Sequence, residues 1–152
     1  MNLAVIATVH FPLSHADVIL TRWLTSRETD RAWGWQGPRT RIVSTYFDQF
    51  GNDDIAQETW VRHDIPIFPS IREALTLGGS QLAVDGVLLI AEHGEYPLND
   101  HGQKLYPRKE FFDQIVEGTL FQLCLILQQL VDAPIGCNEF LTKNGHHVAV
   151  EA

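Results

Sequence analysis

Five polar residues of this 152-residue chain are of types that could do chemistry, and each follows a predicted strand. They are His10, His15, Asp48, Glu92 and His93. An imidazole titrates near neutral pH and a neighbouring carboxylate can orient it, so His93 and Glu92 are candidate catalytic residues for acid–base chemistry. Imidazole and carboxylate groups also suit zinc or iron. A metal or small-ligand site built from these five residues is therefore an alternative, although we assign no metal ligand.

These five residues are far apart in the sequence and need a fold that gathers them. In an open parallel sheet, ligands bind in the crevice at the carboxyl ends of the strands. Because all five residues stand at predicted strand ends, we expect them at one edge of such a sheet. Glu92 and His93 are adjacent and would point to opposite faces of a strand, so they need a loop conformation to act together.

The first predicted strand and the turn after it are typical of the opening of a dinucleotide-binding domain. Leu3–Thr8 is an apolar run, and Ser14 with Asp17 forms a capping box that begins a helix. A G-x-G-x-x-G turn at this place brings bare backbone against a pyrophosphate at the helix N-terminus. The three glycine positions are occupied here by Ala7, Val9 and Pro12. The turn therefore predicts the fold better than it predicts phosphate binding.

The second predicted strand, Arg41–Phe47, ends at Asp48. A carboxylate at this position can accept hydrogen bonds from both hydroxyls of an adenosine ribose, which favours NAD over NADP as the cofactor. An ordinary loop-capping aspartate is the alternative interpretation. The expected cofactor contacts are Thr8, Val9, His10, Ser14, His15 and Asp48.

The rest of the chain alternates short apolar runs with helical patterns. Further strands are predicted at Ile65–Phe68, Val84–Ala91 and His147–Glu151. Helices are predicted over about residues 53–63, from Ser70 to a glycine stop at Gly78-Gly79, and over 108–131 with Gly118 as a candidate break. This order predicts one α/β, Rossmann-like domain over residues 1–152, with a parallel sheet of about five strands and helices on both faces.

Composition limits the function classes. The net charge of −8 and the absence of a basic run argue against nucleic-acid binding. The N-terminus lacks the positive region of a signal peptide. The apolar run Leu120–Val131 is interrupted by glutamines and is too short to span a membrane. We therefore expect a cytoplasmic protein that contacts a small-molecule ligand and no membrane.

Two further residue pairs have ordinary structural explanations. Cys124 and Cys137 fit no zinc or redox spacing and are predicted to be buried, reduced thiols. Trp33 and Trp35 lie in a polar stretch, where they either pin the loop to the body or offer a stacking platform for a ring.

Several motifs occur in a suggestive order along the chain. They are the pair His15-Ala16 after the first turn, the strand Ile65-Pro-Ile-Phe68, the helix Ser70-Ile-Arg-Glu-Ala-Leu75 and the strand Val84-Asp-Gly-Val-Leu-Leu-Ile-Ala91. Together they resemble the N-terminal domain of the glucose–fructose oxidoreductase/inositol dehydrogenase (Gfo/Idh/MocA) family. Residues 143–151 are similar to that family's Gly-Lys-His-Val-x-x-Glu-Lys-Pro strand. More closely, residues 3–8, 13–17, 83–97 and 102–107 look like an uncharacterised bacterial group related to that fold. The resemblance implies a Rossmann-like fold and a nicotinamide cofactor.

The chain also departs from that family. Glu92-His93-Gly94 replaces the family's Thr-Pro-Asn, and the sequence stops at Glu151-Ala152, before the family's catalytic lysine and second domain. We therefore expect a fragment, a truncated product or a lone domain that is incomplete as a catalyst. Three hypotheses follow: a degenerate nicotinamide-type domain that binds NAD or a small polar ligand, a nucleotide-free metal or small-ligand protein, and a non-catalytic partner-binding domain that could form a homo-oligomer.

Overall fold

The structure, a computed structural model, describes residues 1–25, 32, 34 and 38–131. Its elements are β1 (Asn2–Ala7), α1 (His15–Leu24), β2 (Arg41–Phe47), α2 (Ala56–Arg62), α3 (Ile71–Thr76), β3 (Gly86–Ile90) and α4 (Arg108–Val131). The expectations about Trp33, Trp35, Cys137 and the strand at 147–151 lie outside the described residues, as does the side chain of Cys124.

The strands form one parallel sheet in the order β2-β1-β3. Val5 of β1 stands opposite Thr45 on one side and Leu88 on the other. Residues 4–7 of β1 are completely buried, as is typical of a central strand covered on both faces. The prediction of an α/β chain with a parallel sheet is confirmed, but the described residues form three strands where about five were expected.

The predicted strand Ile65–Phe68 is reduced to a single parallel bridge between Thr45 and Ile67. The Thr45 amide donates to the Pro66 carbonyl at 3.0 Å, and the Phe68 amide donates to the Thr45 carbonyl at 2.8 Å. Pro66 has no amide hydrogen, so it cannot extend the ladder. The prediction of a strand here is wrong, although the segment does run parallel to β2 along its outer edge.

Alternate residues of β1 face two separate apolar clusters. Val5 and Ala7 pack against α1 and α2, whereas Ala4 and Ile6 pack against α3 and α4. The helical residues in these clusters are Ala16, Leu20, Ala56 and Trp60 on the first face and Ile71, Ala74, Leu75 and Phe111 on the second. Helices therefore cover both faces of the sheet.

The short helices α2 and α3 differ from their predicted bounds. α2 begins at Ala56, three residues later than expected from Asp53; Ile55 cannot cap it, and the Gln57 amide donates to Asp54 Oδ2 at 3.5 Å. α3 begins as predicted, with the Ser70 hydroxyl accepting from the Glu73 amide at 3.2 Å. α3 ends at two left-handed residues, Leu77 with a φ of 51° and the expected Gly78 with a φ of 75°.

The long helix α4 runs through Gly118 without a break, so the candidate break there is wrong. A Cβ atom at Gly118 would lie 3.0 Å from Leu75 Cδ1. The glycine therefore serves close packing of α4 against α3.

Candidate functional site

The carboxyl ends of the three strands lie side by side. Ala7 is in register with Phe47 on one side and Ile90 on the other. The pairing continues one step into the loops, because the Asp48 amide donates to the Ala7 carbonyl at 3.1 Å and the Thr8 amide donates to the Ile90 carbonyl at 3.2 Å. The loops that follow β1, β2 and β3 therefore begin next to one another.

Thr8 and Val9, two expected cofactor contacts, are buried parts of this junction. The Thr8 hydroxyl donates to the Glu92 carbonyl, and the Thr8 carbonyl accepts from the Gln49 amide at 2.9 Å. The polar groups of Thr8 thus hold the first loop to the second and third loops.

The turn before α1 satisfies its own amides. The Ser14 hydroxyl caps the helix, accepting from the Asp17 amide at 3.2 Å and from the Phe11 amide at 3.3 Å. The Leu13 amide donates to Asp17 Oδ2 at 2.8 Å. A carboxylate therefore already stands at the N-terminus of α1, where a helix dipole favours negative charge.

His10 lies inside the protein rather than at the mouth of a crevice, with 2% of its surface exposed. Its ring stacks on Phe47, with ring centroids 5.7 Å apart, and its Nδ1 accepts a hydrogen bond from Trp60 Nε1 at 3.1 Å. Burial lowers the pKa of His10, while the carboxylates of Asp17 and Asp54 act in the opposite direction. His10 is therefore enclosed by core aromatic side chains.

His15 and His93 are brought into contact at the surface of the edge. Their rings stack with centroids 4.8 Å apart. The Phe11 ring contacts the His93 ring edge-on, with centroids 5.4 Å apart. His15 is exposed and His93 is half-buried. The structure thus joins two of the predicted site residues, one from the first turn and one from the loop after β3.

The backbone at His93 is left-handed, with a φ of 63°, and the next residue, Gly94, has a φ of 103°. Left-handed backbone is strained for a residue with a Cβ atom. A Cβ atom at Gly94 would lie 2.7 Å from Tyr96 Cε2 and 3.1 Å from Gln49 Oε1. The loop is therefore packed tightly at Gly94, and this packing holds the strained turn that presents the His93 ring.

Asp48 is exposed, and two phenols bind its carboxylate. Tyr46 donates to Oδ1 at 2.9 Å and Tyr96 donates to Oδ2 at 2.7 Å. Burial, reinforced by the hydrogen bond and the charge of Asp48, raises the pKa of Tyr46 to about 12, and the same causes raise the pKa of Tyr96. Both phenols therefore remain protonated donors at neutral pH, and Asp48 links the second loop to the third.

Glu92 and His93 contact different groups. The Glu92 carboxylate pairs with Arg108 Nη2 at 2.8 Å, and Arg108 Nε also donates to the Ala91 carbonyl at 3.2 Å. The His93 ring contacts His15 and Phe11 instead. The structure therefore gives the proposed acid–base pair two separate sets of partners.

Several residues at this edge escaped the sequence analysis. Tyr46 lies two residues before Asp48 on the same strand face, a spacing that could have indicated the contact. Tyr96, Gln49 and Arg108 carry no comparable local signal, because their contacts cross the sheet. Gln49 binds the backbone of Glu95 in both directions, accepting from its amide at 2.9 Å and donating to its carbonyl at 3.1 Å.

The described part of the chain contains no group of three or more His, Cys, Asp or Glu side chains placed to hold a metal ion. No helix within the described ranges combines the length and apolar character needed to cross a membrane.

Comparison with known proteins returned no relative. The chain matches no protein-family model, and no curated protein or solved structure is significantly similar to it. The resemblance to the Gfo/Idh/MocA family therefore stays a prediction.

Proposed function

We propose that the chain is a degenerate Rossmann-like domain that binds a small, phosphate-free polar ligand at the carboxyl edge of its sheet. The observation that carries the proposal is the His15–His93 stack, which joins the loops after β1 and β3 at the surface. The strand order β2-β1-β3, with Ile67 bridged to the outer side of β2, supports the Rossmann-like assignment. Two adjacent imidazoles offer a polar ligand both hydrogen-bond donors and acceptors.

The strained backbone at His93 supports a functional role for its ring. Left-handed non-glycine residues cost on the order of 1–3 kcal/mol and cluster at binding and catalytic sites. Three other non-glycine residues are left-handed: Asp64 and Leu77 follow the ends of α2 and α3, where this conformation terminates helices, and Leu13 lies in the turn before α1. Like Leu13, His93 ends no helix, so helix termination does not account for its conformation. Presentation of its ring to a ligand supplies a reason for it.

The turn before α1 favours a ligand without phosphate. A pyrophosphate seat needs free amides and a positive helix terminus. Here the amides of Phe11 and Leu13 donate to Ser14 and Asp17, and Pro12 has no amide hydrogen. The carboxylate of Asp17 would also repel a phosphate at this position.

The first experiment screens phosphate-free polyols, amino acids and short carboxylic acids for an increase in melting temperature. A compound that binds only the folded chain raises it in proportion to its occupancy. We expect at least one such compound to act on the wild type and to lose its effect in His93→Ala. His101→Ala, at an exposed position in the loop after β3, is the matched control and should keep the effect. A panel without effect, or an effect that survives His93→Ala, contradicts the proposal.

NAD binding is a second candidate, and the observation that favours it is the exposed carboxylate of Asp48 at the end of β2. Calorimetric titration with NAD⁺, NADH, NADP⁺ and NADPH tests it. Heat of binding from the NAD forms that disappears in Asp48→Asn and persists in Asp53→Asn, an exposed carboxylate of the same loop, would support Asp48 as the ribose acceptor. Absence of heat from all four nucleotides would exclude this candidate.

A further inference from the structure

His10 is a buried titratable group that the proposed ligand site does not use. Its ring lies between Phe47 and Trp60, at centroid distances of 5.7 and 5.9 Å, and 2% of the residue is exposed. Its backbone carbonyl also accepts from the Ile55 amide at 2.9 Å, which joins it to the segment leading into α2. His10 therefore connects the end of β1 to β2 and α2.

The hydrogen bonds of His10 determine its tautomer. Trp60 Nε1 is only a donor, so the Nδ1 atom that accepts from it must carry a lone pair. The proton of the neutral ring is then on Nε2. That atom is buried and has no hydrogen-bond partner among the described residues; the nearest carboxylate oxygen, Asp17 Oδ1, is 3.9 Å away.

We propose that His10 is a proton-sensitive switch, in which protonation of the buried ring breaks the Trp60–His10 hydrogen bond and moves the ring towards Asp17, at the start of α1. In the imidazolium form both ring nitrogens are donors. The Nδ1–H would then face the Trp60 N–H, two donors without an acceptor between them. The protonated ring and the observed packing are incompatible, so the ring must move.

Two carboxylates determine where the ring goes. Asp17 on α1 and Asp54 on the segment before α2 are the charged groups that act on His10, and both favour its protonated form. Asp17 is 26% exposed and already lies 3.9 Å from Nε2, so a small shift towards it makes an ion pair. The same carboxylate accepts from the Leu13 amide, and Phe11 of this turn contacts His93. We therefore expect protonation of His10 to change the contacts of Leu13 and Phe11 in this turn.

The test is an NMR titration of the full chain, without any ligand, from pH 8 downward. The indole N–H of Trp60 and the ring signals of His10 should change in one step below about pH 6.5, the usual value for histidine. The indole of Trp23, which donates to Thr40 Oγ1 at 2.9 Å, reports on the global fold and should not change in that step. A Trp60 signal that changes only together with Trp23 overturns the proposal, and so does titration of His10 without a change at Trp60.

Variants of the carboxylates sharpen the test without disturbing the core. Asp17→Asn and Asp54→Asn each remove a group that favours the protonated ring, so each should shift the midpoint of the Trp60 step to lower pH. Asp53→Asn, an exposed neighbour, should leave the midpoint in place. Equal midpoints in all four proteins would overturn the assignment. Because the outcome does not depend on any ligand, it is separable from the ligand screen for the proposed function.

Discussion

His10 and His93 follow neighbouring strands at the same edge of the sheet but have opposite surroundings. His10 is enclosed by Phe47 and Trp60, with a hydrogen bond to Nδ1. His93 stands at the surface on a left-handed backbone, against His15 and Phe11. Their equivalent places at strand ends therefore do not give them equivalent roles. Long-range packing encloses His10, whereas a local turn ending in Gly94 exposes His93.

The largest effect is expected on the His10 side, from Trp60→Ala. Trp60 is fully buried and forms the enclosure of His10. Loss of a large buried ring lowers the free energy of unfolding by about 3–5 kcal/mol, measurable by urea denaturation followed by circular dichroism. Val61→Ala, at the next residue and 75% exposed, is the control and should change stability by less than about 0.5 kcal/mol. Equal losses in both variants would mean that the enclosure is not closely packed.

The second prediction concerns the turn at His93. Gly94→Ala adds a Cβ atom at a φ of 103° and 2.7 Å from Tyr96 Cε2. Backbone strain and overpacking together should lower the free energy of unfolding by about 2–4 kcal/mol. Gly102→Ala, at a φ of 74° with no atom within 4 Å, isolates the backbone contribution and should cost about 1–2 kcal/mol. If the two variants lower the free energy of unfolding by the same amount, the close approach of Tyr96 does not affect stability.

The third prediction is the pH dependence of stability. Because the pKa of folded His10 is lowered, the unfolded chain binds more protons between that pKa and about pH 6.5. The free energy of unfolding therefore rises with pH through this window, and the contribution of His10 is fully present above it. His10→Gln should reduce the slope there by at most about 1.4 kcal/mol per pH unit, the limit for one proton. An unchanged slope in denaturant melts between pH 8 and pH 4 would show that folding does not lower the pKa of His10.

The smallest effect separates the ring of His93 from its backbone. His93→Ala and His93→Gly both remove the imidazole, but only glycine adopts a φ of 63° without strain. We expect the glycine variant to be more stable than the alanine variant by about 1 kcal/mol. Chemical denaturation of the two proteins side by side measures this difference. A more stable alanine variant would argue against strain at this position.

Much of the framework was predictable because it depends on local patterns. The apolar runs before Thr8 and Asp48 form strands, and Ser14 and Ser70 cap helices as their spacing indicates. The strand expected at Ile65–Phe68 failed because Pro66 cannot donate to a ladder, a local signal that outweighs β-branched composition.

The site was less predictable because its contacts join distant parts of the sequence. Placement of His15 and His93 at strand ends anticipates a common edge, but not that their rings stack. The enclosure of His10 depends on Trp60, and the two phenols on Asp48 include Tyr96, which is 48 positions away. Periodicity and spacing describe one segment of the sequence at a time, so they do not predict which side chains of distant segments make contact.

The tethers of the loop after β3 also imply an order of assembly. The bonds from Thr8 to Glu92, from Gln49 to Glu95 and from Tyr96 to Asp48 join residues 84, 46 and 48 positions apart. Contacts of such long sequence separation carry a large loop-closure cost. The pairing of β1 with β3, such as Leu3 with Gly86, spans a comparable separation, whereas β1 and β2 pair over about half of it, such as Leu3 with Ile42. We therefore expect this edge of the sheet to be completed together with the pairing of β3, after β1 and β2 have paired. By the same reasoning the amide of Glu95, bound only to a side chain at the surface, should exchange its hydrogen with solvent sooner than the amides of β1.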